Sequence, residues 1–163
     1  YLSGEPITGL TEGRPLLART PEGKLSFANF MRAQLYSALA TLKIGMEILE
    51  SENVAIDKLL GHGGYFKTPV VGQKLMAAAT NAPVSVMETA SEGGAWGMAI
   101  LAAYMSQKTE GETLENYLEN KVFANQPVTT VEPNNDDIEG FNQFMKNYIA
   151  GLEIEKCACT NLK

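Results

Sequence analysis

Apolar positions early in the chain fall three and four residues apart. Phe27, Phe30, Met31, Leu35, Leu39, Leu42, Met46 and Leu49 draw one stripe, which predicts an amphipathic helix from Ser26 to about Glu52. Ser26 is placed to cap it, and Ala38, Ala40 and Gly45 are small enough for another element to come close. The period then shortens. Ile56-Asp57-Lys58-Leu59-Leu60 reads as a buried strand that stops at Gly61, and Val84-Ser85-Val86-Met87 reads as a second strand. Between them His62-Gly63-Gly64 forms a turn. Thr68 is a good helix N-cap and Pro69 suits the first helical position, so a helix is expected from Pro69 to about Thr80. Its apolar side is Val70, Val71, Leu75, Met76 and Ala79, and Asn81-Ala82-Pro83 stops it.

After the second strand, Thr89 with Glu92 three residues on has the form of a capping box. The helix behind it carries Gly93, Gly94 and Gly97 in its first two turns. Glycine costs a helix roughly 1 kcal/mol against alanine. These three therefore predict close approach of a neighbouring backbone or a ligand, with Trp96 among them read as core. The last third is more polar. A short helix is expected within Gly111 to Asn120, a brief extended piece from Val128 to Glu132, and a final helix after Pro133 with Phe141, Phe144, Met145, Tyr148, Ile149 and Leu152 on one face. Asp136, Asp137 and Glu139 cluster at its start, where the helix dipole explains acids better than catalysis does.

The order helix, strand, turn, helix, strand, helix is that of an α/β fold. It predicts a short parallel sheet flanked by helices, with strands 56–62 and 84–88 joined by a right-handed crossover. Two strands do not make a self-sufficient sheet. The rest is expected from chain upstream of Tyr1 or from an edge in the irregular opening, Tyr1 to Gly23. Because the chain begins with Tyr1, a fragment or processed product is expected.

Charge narrows the function. With 163 residues, 45% hydrophobic and 20% charged, the chain has the composition of an ordinary globular domain. A net charge of −6 offers no basic patch for nucleic acid or an anionic membrane surface. Arg14 and Arg19 read as solvated loop charge. Cys157 and Cys159, one residue apart, read as reduced thiols of a cytoplasmic protein. His62 is the sole histidine, so no metal site is assigned. What remains is the glycine turn after the first strand. Glycines there let backbone come close to a ligand, and the helix start behind them favours an anion such as a phosphate.

The stretch GHGGYFKTPVVGQKLMAAATNAPVSVMETASEGGAWGMAILAAY resembles the C-terminal, nucleotide-binding half of the FGGY carbohydrate kinases, and among them the xylulose kinase-like members. The pieces run in family order. Tyr1-Leu2-Ser3-Gly4-Glu5 is similar to the segment "YLxGER". Gly63-Gly64 with Lys67-Thr68-Pro69 and Gln73 is similar to "GGGARSPLWRQ", and Pro83-Val84 with Glu92 through Ala99 to "PV…E..ALGAA". Val131-Glu132-Pro133 and the final helix resemble the family's C-terminal tail. The resemblance implies a partial ribonuclease H-like, actin-like ATPase domain over residues 1–163, without the N-terminal sugar-binding domain. It implies ATP and Mg²⁺ as cofactors and transfer of the γ-phosphate to a sugar hydroxyl, in a pentulose such as D-xylulose. Gly63 and Gly64 would lie against the nucleotide, with Tyr65 and Thr68 near its base or ribose. Positioning and charge neutralisation carry such chemistry. The family's aspartate base lies outside these residues, so no catalytic residue is named and the chain alone is expected to be inactive. Two positions depart from the pattern. Tyr65 replaces the third glycine, and Met76-Ala77 replaces "AD". The alternative reading, motivated by Tyr65, is a non-catalytic module of the same fold that has lost nucleotide binding.

A short sheet with open edges predicts self-association, a homodimer in the simplest case. Size-exclusion chromatography with light scattering reads this directly, and a monomer at every concentration would count against it.

Overall fold

Where backbone hydrogen bonds close, they follow the sequence pattern with a few shifts. The computed structural model describes residues 3–88, 93–124 and 126–163. The elements are α1 (Phe27–Ser51), β1 (Leu59–Gly61), α2 (Val71–Thr80), β2 (Val84–Met87), α3 (Gly93–Gln107), α4 (Leu114–Tyr117), β3 (Val128–Val131) and α5 (Asn135–Asn161). They divide into two compact units. The first holds Tyr1–Ile56, Ala78–Asn81 and Asn134–Lys163; the second holds Asp57–Ala77 and Ala82–Pro133.

The first unit is built on α1 and α5. The Ser26 hydroxyl caps α1 by accepting from the Asn29 N–H at 3.2 Å. The Asn134 side chain caps α5 by accepting from the Asp136 and Asp137 N–H groups, and the acids expected at a helix start are found in one. Tyr36 meets Phe141 and Phe144 edge-on, with ring centres 4.9 and 5.3 Å apart. Leu39, Ala40, Phe141 and Met145 are buried with them. The buried residues of α1 are thus Tyr36, Leu39 and Ala40, which share Leu39 with the stripe that the apolar spacing draws and extend it round to Tyr36 and Ala40. Phe27, at 80%, and Met31, Leu42 and Leu49 of that stripe are exposed. Small residues matter as expected at Ala40, which is fully buried, and at Gly45, which stands against the Ile7 side chain. The opening segment is fastened rather than loose. Leu10 is buried. The Arg14 N–H donates to the buried Glu155 carboxylate at 2.6 Å, and the Arg14 Nε donates to the Leu162 carbonyl at 2.6 Å. Arg14 is therefore a structural tie, where the sequence suggested solvated charge. Arg19 donates locally to the Gly23 carbonyl.

The second unit carries the sheet, in the order β1-β2-β3. β1 and β2 are parallel, pairing Leu59 with Val84 and Gly61 with Val86. β3 runs antiparallel to β2, pairing Val131 with Val84 and Val128 with Met87. The expected α/β class and parallel pair are present, but the sheet is mixed. Its third strand comes from downstream, out of the Val128–Glu132 stretch, and neither from upstream chain nor from the opening loop. β2 is the centre, with Val84, Ser85 and Met87 buried. A hydrogen bond of 2.7 Å between the Ser85 and Thr130 hydroxyls ties it to β3. The capping box Thr89–Glu92 lies outside the described residues. Trp96 of α3 is half-buried against Phe123, with ring centres 5.7 Å apart. Among the described residues no helix is long and apolar enough to cross a membrane.

Behind α3 the chain is pinned by Glu112. Its carboxylate accepts from the Lys121 ammonium at 2.8 Å and from the Thr109 N–H at 2.9 Å, while its carbonyl accepts from the Tyr104 hydroxyl. The Lys121 hydrogen bond, then the Thr109 N–H, hold the Glu112 carboxyl below the ordinary glutamate value. A carboxylate with a depressed folded pKa stabilises above its unfolded pKa, and that contribution fades as pH falls through the folded value. Carbonyl NMR should show Glu112 titrating below an ordinary glutamate, and Lys121→Met should return it upward. Titration at the ordinary value in the unmutated protein would mean the pair is not formed in solution.

Candidate functional site

β1 ends in a turn whose shape is set by what its glycines leave out. Gly61 is buried, and a Cβ on it would lie 2.5–2.8 Å from three carbons of the Phe66 ring. The ring fills the volume that a side chain at Gly61 would need. Gly63 has φ 96° and ψ −176°, a conformation essentially confined to glycine. From there the backbone winds through a short 3₁₀ turn, Gly64–Phe66. The Phe66 N–H donates to the Gly63 carbonyl at 3.1 Å, and the Lys67 N–H to the Gly64 carbonyl at 3.2 Å. Tyr65 folds back on α2. A Cβ on Gly72 would be 2.5 Å from the Tyr65 carbonyl and 3.0 Å from its ring, and the Tyr65 and Phe66 rings meet edge-on at 5.6 Å.

The following helix starts later than expected. α2 begins at Val71, and Val70 has φ 69°. The Val71 N–H turns back to the Pro69 carbonyl at 2.8 Å, and the first helical bond runs from the Lys74 N–H to the Val70 carbonyl. Pro69 is thus not the first helical residue and Thr68 is not the cap, because a left-handed residue separates them from the helix. The buried side of α2 agrees with the expected one at Ala79 and differs at its start. Val70 and Val71 are 41% and 44% exposed, while Gly72, Gln73 and Ala77 are buried.

This turn sits at the carboxyl end of a parallel strand, where ligands of α/β sheets bind. The first residue of α3 adjoins it, since a Cβ on Gly93 would be 3.0 Å from the His62 side chain. Close approach at Gly93 is thus real, and its neighbour is a side chain. At Gly63, Gly64, Gly94 and Gly97 an added Cβ would meet nothing within 4 Å. Of the four residues singled out in the sequence, Gly63, Gly64 and Tyr65 form one turn, with main chain at the glycines uncovered and the tyrosine ring laid on Gly72. Thr68 lies just beyond it and is exposed. Sequence reasoning passed over His62 as a packing partner and Gln73 as a buried amide. Gln73 stood in the sequence only as the glutamine of the family-like motif, with nothing in the chain to mark it as buried. Among the described residues no three His, Cys, Asp or Glu side chains gather to hold a metal ion.

The sequence model of the FGGY family of carbohydrate kinases, C-terminal domain, fits residues 1–106 of the 163. No curated protein and no solved structure matches the chain.

The two kinds of glycine should separate on substitution. Gly61→Ala and Gly72→Ala drive a methyl into the Phe66 ring and the Tyr65 carbonyl, and each should cost about 1–3 kcal/mol by overpacking. Gly64→Ala enters open space and should stay within about 0.5 kcal/mol of the unmutated protein. Urea unfolding measures all three, and equal costs would contradict the geometry.

Proposed function

This chain belongs to the FGGY family of carbohydrate kinases, and from that membership we propose that residues 1–163 form the nucleotide-binding part of an ATP-dependent sugar kinase. The observation that carries the reading is the open main chain at Gly63 and Gly64, at the carboxyl end of β1, with Gly63 in a conformation essentially confined to glycine. Phosphate groups are held well by backbone N–H groups of glycine turns. In this reading Gly63 and Gly64 lie along the nucleotide, while Tyr65 and Thr68 border its base or ribose. With a net charge of −6, the protein holds the anion through local amides and not through its overall field. Mg²⁺ would enter on the phosphates of ATP, which is how that ion commonly binds; the described residues gather no set of ligands for it.

The reaction is transfer of the γ-phosphate to a sugar hydroxyl, and a pentulose such as D-xylulose is the substrate proposed. Such a step asks a protein mainly to position groups and offset charge. The sugar and the base that takes its proton belong to a sugar-binding domain beyond these residues, so no side chain here is assigned a catalytic role. The two free thiols, Cys157 and Cys159, suit a reducing compartment such as the cytoplasm.

Calorimetric titration with Mg²⁺–ATP tests the proposal. The unmutated protein should bind. Gly64→Trp should fold, because Gly64 is exposed and a Cβ there meets nothing within 4 Å, yet lose about tenfold or more in affinity by occupying the ligand's place. Absence of ATP binding in the unmutated protein would overturn the reading and leave a fold without a nucleotide.

A further inference from the structure

We propose that Gln73 is the positioning residue for the glycine turn, clamping the first turn of α2 to two strands at once and thereby fixing the main chain at Gly63 and Gly64. Gln73 is 4% exposed, among the few buried polar side chains described. Its Nε2 donates to the Val84 carbonyl of β2 at 3.1 Å and to the Thr129 carbonyl of β3 at 2.8 Å. An amide NH₂ has two donors, and both are spent, each on a different strand.

A buried amide is costly unless bonded, so the position tolerates little displacement. An aliphatic side chain would fill the same space and specify less. The consequence travels one residue. Gly72, next to Gln73, carries the Tyr65 carbonyl and ring directly on its Cα, and Phe66 beside Tyr65 fills the gap at Gly61. If the start of α2 slides, that stack slides with it, and Gly63 and Gly64 follow. Backbone donors that read an anion must be held to within about half an ångström to be useful. The Ser85–Thr130 hydroxyl pair also joins β2 to β3, but it involves neither α2 nor the turn. It therefore serves as an internal control for sheet loosening alone.

The role of Gln73 toward a ligand rests on the nucleotide reading above; its role toward the turn does not. Both are measured on Gln73→Met, which keeps the length and removes the donors, against Ser85→Ala. Hydrogen exchange is followed at the Phe66 and Lys67 amides, and Mg²⁺–ATP affinity by calorimetry. Gln73→Met should speed exchange at both amides and weaken ATP about tenfold, the change expected from one lost backbone hydrogen bond. Ser85→Ala should leave both unchanged even if it lowers global stability as much. An unmutated protein that does not bind ATP defeats the nucleotide reading, and the exchange data then decide the clamp alone. Unchanged exchange at Phe66 and Lys67 in Gln73→Met overturns the proposal. So does accelerated exchange with unchanged ATP affinity in a protein that binds ATP. Should Gln73→Met not fold, Gly72→Ala displaces the next link, and slow exchange at those two amides in that variant overturns the proposal equally.

Discussion

Two absent methyl groups govern the second unit. Gly61 ends β1 and Gly72 begins α2, and the rings of Phe66 and Tyr65 stand where their side chains would be. Steric exclusion at these two points sets the path of the chain between strand and helix. Everything at the candidate site follows from that path: the left-handed Gly63, the 3₁₀ turn, the delayed start of α2 and the uncovered backbone. The constraint is unforgiving because it is made of volume, and protein interiors have little to spare.

The site that results is poor in charged side chains and rich in main chain. That suits phosphoryl transfer, where the hard part is holding a polyanion still while a second reactant approaches. The turn and the first residue of α3 come together through His62 and Gly93, while Gly94 and Gly97 keep the adjacent surface of α3 bare. Bare glycine surface on a helix carries a cost in helix propensity, and here it buries nothing in return.

Much of this was legible in the chain. β2 lies where the Val84–Met87 run placed it, because Pro83 ends the helix before it and Val84, Val86 and Met87 favour a strand. α1 and α5 begin where Ser26 and Asn134 cap them, since side-chain acceptors for orphan N–H groups are local chemistry. Local chemistry is also where legibility ends. Val128-Thr129-Thr130-Val131 has no clean alternation, so its pairing with β2 depends on a partner over forty residues away in sequence. Val70 carries no mark of its positive φ. Tyr36 lies beside the apolar stripe of α1, and only the rings on α5 decide which side is covered. Gln73 looks like an exposed helix residue until two carbonyls from different strands are brought to it. In each case tertiary context overrode a reading that was sound for the segment alone.

The family match stops at residue 106, yet β3 lies at 128–131. A protein trimmed to the matched boundary would keep the glycine turn in its sequence and forfeit the strand that guards β2. Val84–Met87 would become a naked edge, and the amide of Gln73 would be left holding one carbonyl where it now holds two. Modular borders drawn from resemblance and those drawn by hydrogen bonding disagree here, and hydrogen bonding is the one that the folded chain obeys.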